Sequence, residues 1–300
     1  MIRFFPWKRA LQRKTVWFSL LVMLIFGLVA VLAPWISPHD PYRSSLSYSN
    51  LPPMWVQDTS KPGIAEYPLG VDSFGRDILS RLIYGTRTAL FLALAAVFLA
   101  ALIGTLVGLT SGYIGGRLDT WIMYFTDTIN SLPVIMFMVI IVLIFRDLLS
   151  PSWFHGMITL VIGFAAVGWV SLARLVRINV LLIKSQNFIE AAISLGASPR
   201  YVITHHLFPN VLHVIVVWII NTIPAVILLE VVLGYIGVNV TSAAGGGEFT
   251  TISWGGMFFS GRSALSLNPL MLVIPSACIL LISMSFILLG DFLNGITRQE

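Results

Sequence analysis

The sequence predicts an all-α polytopic membrane protein, and three observations lead to that fold class. Of the 300 residues, 57% are hydrophobic and only 10% are charged, whereas a soluble domain has roughly 25% charged residues. The mean hydropathy is +0.90. The apolar residues stand in long continuous runs, while the strands of a membrane β-barrel alternate over about 10 residues. At about 20 apolar residues per span, the chain has room for roughly six or seven helices, and the runs described below give six.

The first helix is predicted over residues 16–36, after a basic N-terminal segment 1–15 that contains no acid. A signal peptide has the same order, but its apolar core is about 7–15 residues long. The uncharged run here continues for the whole of 16–36 and ends at Pro34-Trp35 instead of a small-residue cleavage site. We therefore predict a retained helix with a cytoplasmic N-terminus.

Residues 37–87 form the longest polar stretch, which we predict to be an extracytoplasmic loop ahead of the membrane domain 88–291. The second span is predicted over Thr88–Tyr113. Its Gly104, Gly108 and Gly112 recur at intervals of four and share one helix face, which lets a neighbouring helix approach closely.

The third predicted span, Leu118–Phe145, is interrupted by Asp127, Asn130 and Pro133. An ionisable group inside a span faces the bundle interior or water, and a proline kinks a helix. Two interpretations of Asp127 stay open. The favoured one is a structural hydrogen-bond acceptor near the cytoplasmic interface, and the other is a group lining the solute route.

The fourth and fifth spans are predicted at about 156–175 and 211–237, after an external turn at 146–155. The fifth contains Asn221 and Glu230 among apolar neighbours. Glu230 is either a buried acid hydrogen-bonded to another helix or a cavity-facing group, and the sequence favours neither. We group Asp127, Asn130, Asn221 and Glu230 as candidate route-lining or structural polar groups.

The last span is predicted over 269–289, followed by a short tail at 292–300. With six spans, both termini lie on the cytoplasmic side. Eleven Lys and Arg residues then fall on inside segments and seven on outside segments, in the direction of the positive-inside rule. The net charge of +5 reflects this orientation rather than nucleic-acid binding, because basic residues cluster beside spans.

Between the fourth and fifth spans lies a polar interruption, Asn187–Asn210. It predicts two short helices, with Gly196 as the C-terminal cap of the first, and Ser198-Pro199 as N-cap and first residue of the second. Such short helices are marginal in water, so the apolar face of this segment must lie against another surface. We predict that this surface belongs to a partner protein.

The segment resembles the EAA loop of permease subunits in binding-protein-dependent ABC importers. The resemblance lies in Glu190-Ala191-Ala192, in Gly196 four residues later, and in Leu207–Asn210. The strings 67–90 and 111–133 and the final Leu-Leu-Gly-Asp at 288–291 are also similar to that family. The nearest members in pattern are the second permeases of dipeptide, oligopeptide and nickel importers.

This resemblance implies a type I ABC importer permease fold in a bacterial or archaeal inner membrane. It implies that the loop 187–210, here called the coupling loop, docks on a cytoplasmic ATPase. The docking residues it implies are Phe188, Glu190, Ala191, Ala192, Leu195, Gly196, Ala197 and Ser198. The implied partners are a homologous permease, two ATPase subunits that hold ATP and magnesium, and an extracytoplasmic solute-binding protein. The chain departs from the family by an insertion at 241–252, ahead of Ser253-Trp254-Gly255-Gly256.

The sequence lacks the groups that an enzyme of its own would need. It contains no G-x-x-x-x-G-K-[ST] phosphate loop, and its five histidines and single cysteine, Cys278, show no metal-site spacing. We therefore expect a non-catalytic subunit with no cofactor. The resemblance implies that it imports di- or oligopeptides. The alternatives are a carrier or channel working without an ATPase, a non-transporting scaffold, and a permease for nickel chelates, oligosaccharides or antimicrobial peptides.

Overall fold

The computed structural model describes residues 13–57, 61–145, 157–238, 252–262 and 268–297, and its regular elements are helices. The helices are α1 Lys14–Ile36, α2 Ile78–Ile114, α3 Gly116–Asn130, α4 Val134–Phe145, α5 Met157–Lys184, α6 Asn187–Ser194, α7 Pro199–Tyr201, α8 Phe208–Tyr235, α9 Trp254–Gly261 and α10 Leu270–Thr297. A 3₁₀ turn, Leu46–Tyr48, and a π-helical segment, Val202–Leu207, complete the described elements.

Five of the described helices are long and apolar enough to cross a membrane, and the pair α3–α4 makes a sixth if it counts as one span. The two helices of that pair are bent by 86° at the break before Val134. Pro133 lies in this break, so the predicted interruption of the third span is confirmed. The predicted all-α polytopic class is confirmed, with five described spans, or six when α3–α4 counts as one.

The centre of the fold is the contact between α2 and α5, made through the predicted glycine stripe. A Cβ atom added at Gly108 would lie 2.6 Å from the carbonyl oxygen of Ala173. Added at Gly104, it would lie 2.7 Å from the carbonyl oxygen of Trp169. The missing side chains therefore allow the two backbones to touch, as the spacing predicted.

The second span begins earlier than predicted, because α2 starts at Ile78 rather than near Thr88. Asp77 caps it by accepting hydrogen bonds from the backbone N–H groups of Leu79 and Ser80. Arg81, which makes this stretch look like a solvated loop, is buried, and its Nε lies 3.8 Å from Asp72 Oδ2. The guanidinium thus has an acidic neighbour inside the fold, and the last ten residues of the predicted loop 37–87 are helical.

Other helices also continue past their predicted ends. The fourth predicted span continues through 184 as α5, and α10 continues from the last predicted span through 297. The predicted tail 292–300 is therefore helical as far as it is described. Segments 1–12, 146–156, 239–251 and 298–300 lie outside the described residues, and they include most of the basic N-terminus, the external turn and nearly all of the insertion 241–252.

The second helix of the coupling loop is not a separate element. It joins the fifth span, so that Pro199–Tyr235 is one helix of 37 residues. The π-helical segment Val202–Leu207 precedes Pro209, whose ring would clash with the carbonyl of the preceding turn in a regular α-helix. The wider π turn accommodates the proline, so the helix continues where the sequence predicted a break.

Candidate functional site

The turn between α6 and α7 has the geometry that the sequence predicts. Gly196 has φ +85°, and its N–H donates to the carbonyl of Ile193 at 2.9 Å. The N–H of Ala197 donates to the carbonyl of Ala192 at 3.0 Å. This pair of bonds is a Schellman motif, in which a glycine takes the left-handed position after the helix. The predicted C-cap is confirmed.

The start of α7 is capped as predicted as well. The Ser198 hydroxyl accepts a hydrogen bond from the N–H of Tyr201 at 3.3 Å, and Pro199 occupies the first turn. A proline there loses no helical hydrogen bond. The coupling loop therefore has a defined shape from its own sequence.

One face of the coupling loop is anchored to the body of the protein. Ile189 is 0% exposed, and Val202 and Leu207 are also fully buried. They join a hydrophobic cluster with residues of α5, including Val176 and Val180. α6 therefore packs against α5, and α7 is continuous with α8.

Beside this anchored part, the coupling loop exposes several large apolar side chains. Leu195 is 89% exposed, and Phe188, Ile193 and Tyr201 are each exposed by about half. Of the other predicted docking residues, Glu190, Ala191, Gly196 and Ser198 are exposed, and Ala192 and Ala197 are half-buried. The structure brings all eight predicted residues together on one short segment. Docking itself stays a prediction.

Sequence reasoning did not assign Tyr201 to this surface. Its ring stacks on His205 with centroids 4.2 Å apart, and His206 lies against it edge-on at 5.7 Å. The spacing of Tyr201 and His205 by four residues was the signal, since such pairs are neighbours on a helix. The exposed surface is therefore larger than the EAA string alone.

Basic residues near the coupling loop tie the ends of helices together. The Arg177 guanidinium donates two hydrogen bonds to the Asp119 carboxylate, and Ser111 donates a third. Lys184 Nζ donates to the carbonyl of Tyr113 at 2.6 Å. The sequence explained these residues only as a cytoplasmic flank. Their partners lie 58 and 71 residues away along the chain, which local patterns do not reveal.

The two polar groups of the third span lie on an open face. Asp127 Oδ1 accepts a hydrogen bond from Arg174 Nη2 at 2.5 Å, and the side chain of Asp127 is 64% exposed. The ion pair joins α3 to α5. Asn130, the last residue of α3, is exposed beside the bend. A structural contact of Asp127 is thus present, and a role of either residue in the route stays a prediction.

Glu230 is held inside the protein. It is 4% exposed, and its carboxylate accepts hydrogen bonds from the backbone N–H of Gly255 at 3.3 Å and from the Ser253 hydroxyl. A Cβ atom added at Gly234 would lie 2.4 Å from Gly255 Cα, so α8 and α9 touch at this point. Of the two interpretations of Glu230, these contacts support the buried acid that is hydrogen-bonded to another helix.

Asn221 differs from Glu230, because it is exposed near the middle of α8. It lies at a cavity of about 350 Å³ between α5, α8 and α10. The sequence could identify this residue as a polar group in an apolar run. The cavity itself requires three helices that are distant in sequence.

Comparison with known proteins gives two family patterns. The pattern described as "Binding-protein-dependent transport system inner membrane component" matches residues 104–299, which include the coupling loop and all four candidate polar groups. The pattern described as "N-terminal TM domain of oligopeptide transport permease C" matches residues 6–53.

Three curated relatives align with nearly the whole chain. The dipeptide transport system permease protein DppC of Bacillus subtilis is 32% identical over 289 residues, covering 96% of this chain and 82% of that protein. The oligopeptide transport system permease protein OppC of Haemophilus influenzae is 29% identical, covering 96% and 85%. The glutathione transport system permease protein GsiD of Escherichia coli is 32% identical, covering 96% and 87%.

Proposed function

The chain belongs to the family of binding-protein-dependent transport system inner membrane components, and from that premise we propose that it is one of two permease subunits of an importer for short peptides. It is a multi-pass protein of the inner membrane. In the proposal, a solute-binding protein delivers the peptide, a homologous permease supplies the other half of the route, and two ATPase subunits hold ATP and magnesium.

The observation that carries this proposal is the apolar face of the coupling loop. Leu195, Phe188, Ile193 and Tyr201 are exposed on a segment separated from the end of α5 by two residues. Burial of such side chains is favourable, and aromatic residues such as Phe188 and Tyr201 are enriched at protein interfaces. A separate ATPase that covers this face would supply the energy source that the sequence lacks.

The coupling mechanism follows from how the loop is joined to the spans. Closure of the ATPase pair would displace α6 and α7 as one unit, because the Schellman turn at Gly196 connects them rigidly. Ile189 would carry the movement to α5, and the continuous helix from Pro199 would carry it to α8. The spans would then exchange an inward-open for an outward-open cavity.

Peptide is the solute class that the relatives favour. The named relatives transport dipeptides, oligopeptides and glutathione, all of which contain peptide bonds. A nickel chelate or an oligosaccharide would share the permease fold but not this feature. A carrier without an ATPase would leave the apolar face of the coupling loop uncovered.

A pair of substitutions tests the docking surface. Phe188→Ser and Leu195→Ser together remove two candidate anchors, each worth about 2 kcal/mol or about thirtyfold in affinity if it is a hot spot. We expect the ATPase to be lost on affinity purification and peptide uptake in proteoliposomes to stop, with the amount of permease in the membrane unchanged. Ile114→Ser is the matched control, since Ile114 is 58% exposed at the end of α2 outside the loop.

The proposal is wrong if the double variant retains both its ATPase and its peptide uptake. It is also wrong if the two permeases alone import peptide without an ATPase, which is the behaviour of a carrier. Uptake of a nickel chelate but not of peptides would retain the coupling mechanism and change the solute.

A further inference from the structure

The cavity between α5, α8 and α10 carries polar groups on three helices. Its lining contains Asn179 from α5, His213 and Asn221 from α8, and Asn294 from α10, together with the apolar side chains of Leu175, Val214, Val217 and Trp218. Trp218 is oriented by a hydrogen bond from its indole N–H to the hydroxyl of Ser171 at 3.1 Å. None of these lining residues carries a fixed charge.

The polar groups on α8 form a ladder along one helix face. His213 and Asn221 are eight residues apart and therefore share a stripe with Val217 between them. At 1.5 Å per residue, the ladder spans about 12 Å. Ser171 and Asn179 repeat the same spacing on α5. The cavity can therefore contact an extended ligand at several points along its length.

Some of these groups are already held in place and keep a free hydrogen-bonding function. Asn179 Nδ2 donates to the carbonyl of Leu175 at 2.8 Å, which leaves its amide oxygen unengaged by that bond. His213 Nδ1 lies 2.9 Å from the carbonyl oxygen of Asn210, and a carbonyl only accepts. This hydrogen bond requires a proton on Nδ1, and it leaves Nε2 outside the bond.

Asn221 is the central group of the cavity. Within the described part of the chain its amide has no hydrogen-bond partner. It lies against Gly290 of α10, where an added Cβ would come within 2.0 Å of Asn221 Oδ1. The glycine thus makes room for an amide in the middle of a transmembrane helix, where an unpaired polar group is costly.

The membrane lipid does not explain this polar face. An exposed amide facing hydrocarbon would lose its hydrogen bonds to water. The outward face of the middle part of α2 shows the composition suited to lipid, since its exposed residues Phe91, Leu94, Phe98, Leu102 and Leu106 are all apolar. The ladder on α5 and α8 therefore faces water or a polar ligand.

We propose that this cavity binds the backbone of the transported peptide, with Asn179, His213 and Asn221 hydrogen-bonding to its amide groups. This inference rests on the proposed function. A primary amide both donates and accepts, and so does every peptide bond, so the side chains of Asn179 and Asn221 match the part that all peptides share. A lining without fixed charge places no demand on the charge of the peptide side chains.

Cysteine protection in the assembled transporter tests the proposal directly. In a Cys278→Ser background, Asn221→Cys places a thiol in the cavity, and a charged, water-soluble thiol reagent reports access to it. We expect rapid labelling that millimolar trialanine slows several-fold. Trialanine methylated on both peptide nitrogens should protect about tenfold more weakly, because each N-methyl group removes a hydrogen-bond donor. Leu102→Cys is the control on the apolar face of α2, and it should stay unlabelled.

Uptake by matched variants completes the test. Asn221→Leu should lower kcat/KM for trialanine uptake about tenfold, through the loss of one hydrogen bond to the peptide. Thr222→Val is the neighbouring control, since the Thr222 hydroxyl donates to the carbonyl of Trp218 within its own helix at 2.7 Å. It should transport at the wild-type rate.

The outcomes separate this inference from the function on which it rests. If the wild type imports no peptide, the proposed function fails. If the wild type imports trialanine but the Asn221→Cys thiol is unreactive, or both peptides protect it equally, the backbone site is overturned. An unreactive thiol would mean that lipid or a helix of the partner permease covers this face.

Discussion

Replacing Gly196 with leucine tests whether the turn of the coupling loop acts through its backbone shape. Gly196 has φ +85°, and nothing lies within 4 Å of a Cβ atom built there. The added side chain therefore meets no steric obstacle, and its cost is the left-handed backbone alone, about 1–2 kcal/mol. That cost shifts the population of the native turn by about 5–30-fold. Because α6 has only eight residues and such a helix is marginal by itself, the turn opens locally while the bundle stays folded.

The assay is uptake of a labelled dipeptide by proteoliposomes that contain the complete transporter. We expect Gly196→Leu to reduce uptake in proportion to the lost native turn, with unchanged abundance in the membrane. Gly196→Ala should behave like the leucine variant, because it has the same backbone cost without the bulk. Gly196→Asn should retain most activity, since asparagine adopts the left-handed region more readily than other residues with side chains.

Normal uptake by Gly196→Leu would refute the rigid-turn mechanism. Equal loss in the leucine and asparagine variants, with alanine unaffected, would show that the size of the side chain matters rather than the backbone conformation. The glycine would then act by allowing close approach of the ATPase.

Two further predictions concern the transmembrane core. Gly108→Val forces a side chain against the Ala173 carbonyl, 2.6 Å from the built Cβ, and should lower the Tm in detergent by about 5 °C. Gly27→Ala is the control, because nothing lies within 4 Å of a Cβ atom built there, and it should not lower the Tm. Equal Tm values for the two variants would contradict the packing argument. Glu230→Leu leaves the Gly255 N–H without its acceptor, at a cost of about 1–3 kcal/mol, and should speed amide hydrogen exchange in α9 at least fivefold. Glu230→Gln retains an acceptor, so the amides of α9 should exchange as slowly as in the wild type. Unchanged exchange in the leucine variant would show that this contact does not hold α9 in place.

The sequence by itself determined the membrane class, the positions of the long apolar spans and the local shape of the coupling loop. Continuous apolar runs make spans wherever they occur in a chain, because the bilayer requires only length and composition. The cap at Gly196 and the N-cap at Ser198 depend on residues within five positions of each other. The glycine stripe of the second span could also be predicted from local sequence, because its period of four residues places three glycines on one helix face.

The tertiary structure decided how the polar groups are used. The sequence assigned Arg81 to a loop and explained Arg177 only as part of the basic cytoplasmic flank. In the structure, Arg81 lies beside Asp72, and Arg177 donates hydrogen bonds to Asp119. Glu230 and Asn221 both look like polar breaks in one apolar helix. Glu230 is buried against Gly255, and Asn221 opens on a cavity shared with α5 and α10. Neither environment was predictable, because the groups that form it lie on other helices: Gly255 of α9 for Glu230, and the cavity walls of α5 and α10 for Asn221.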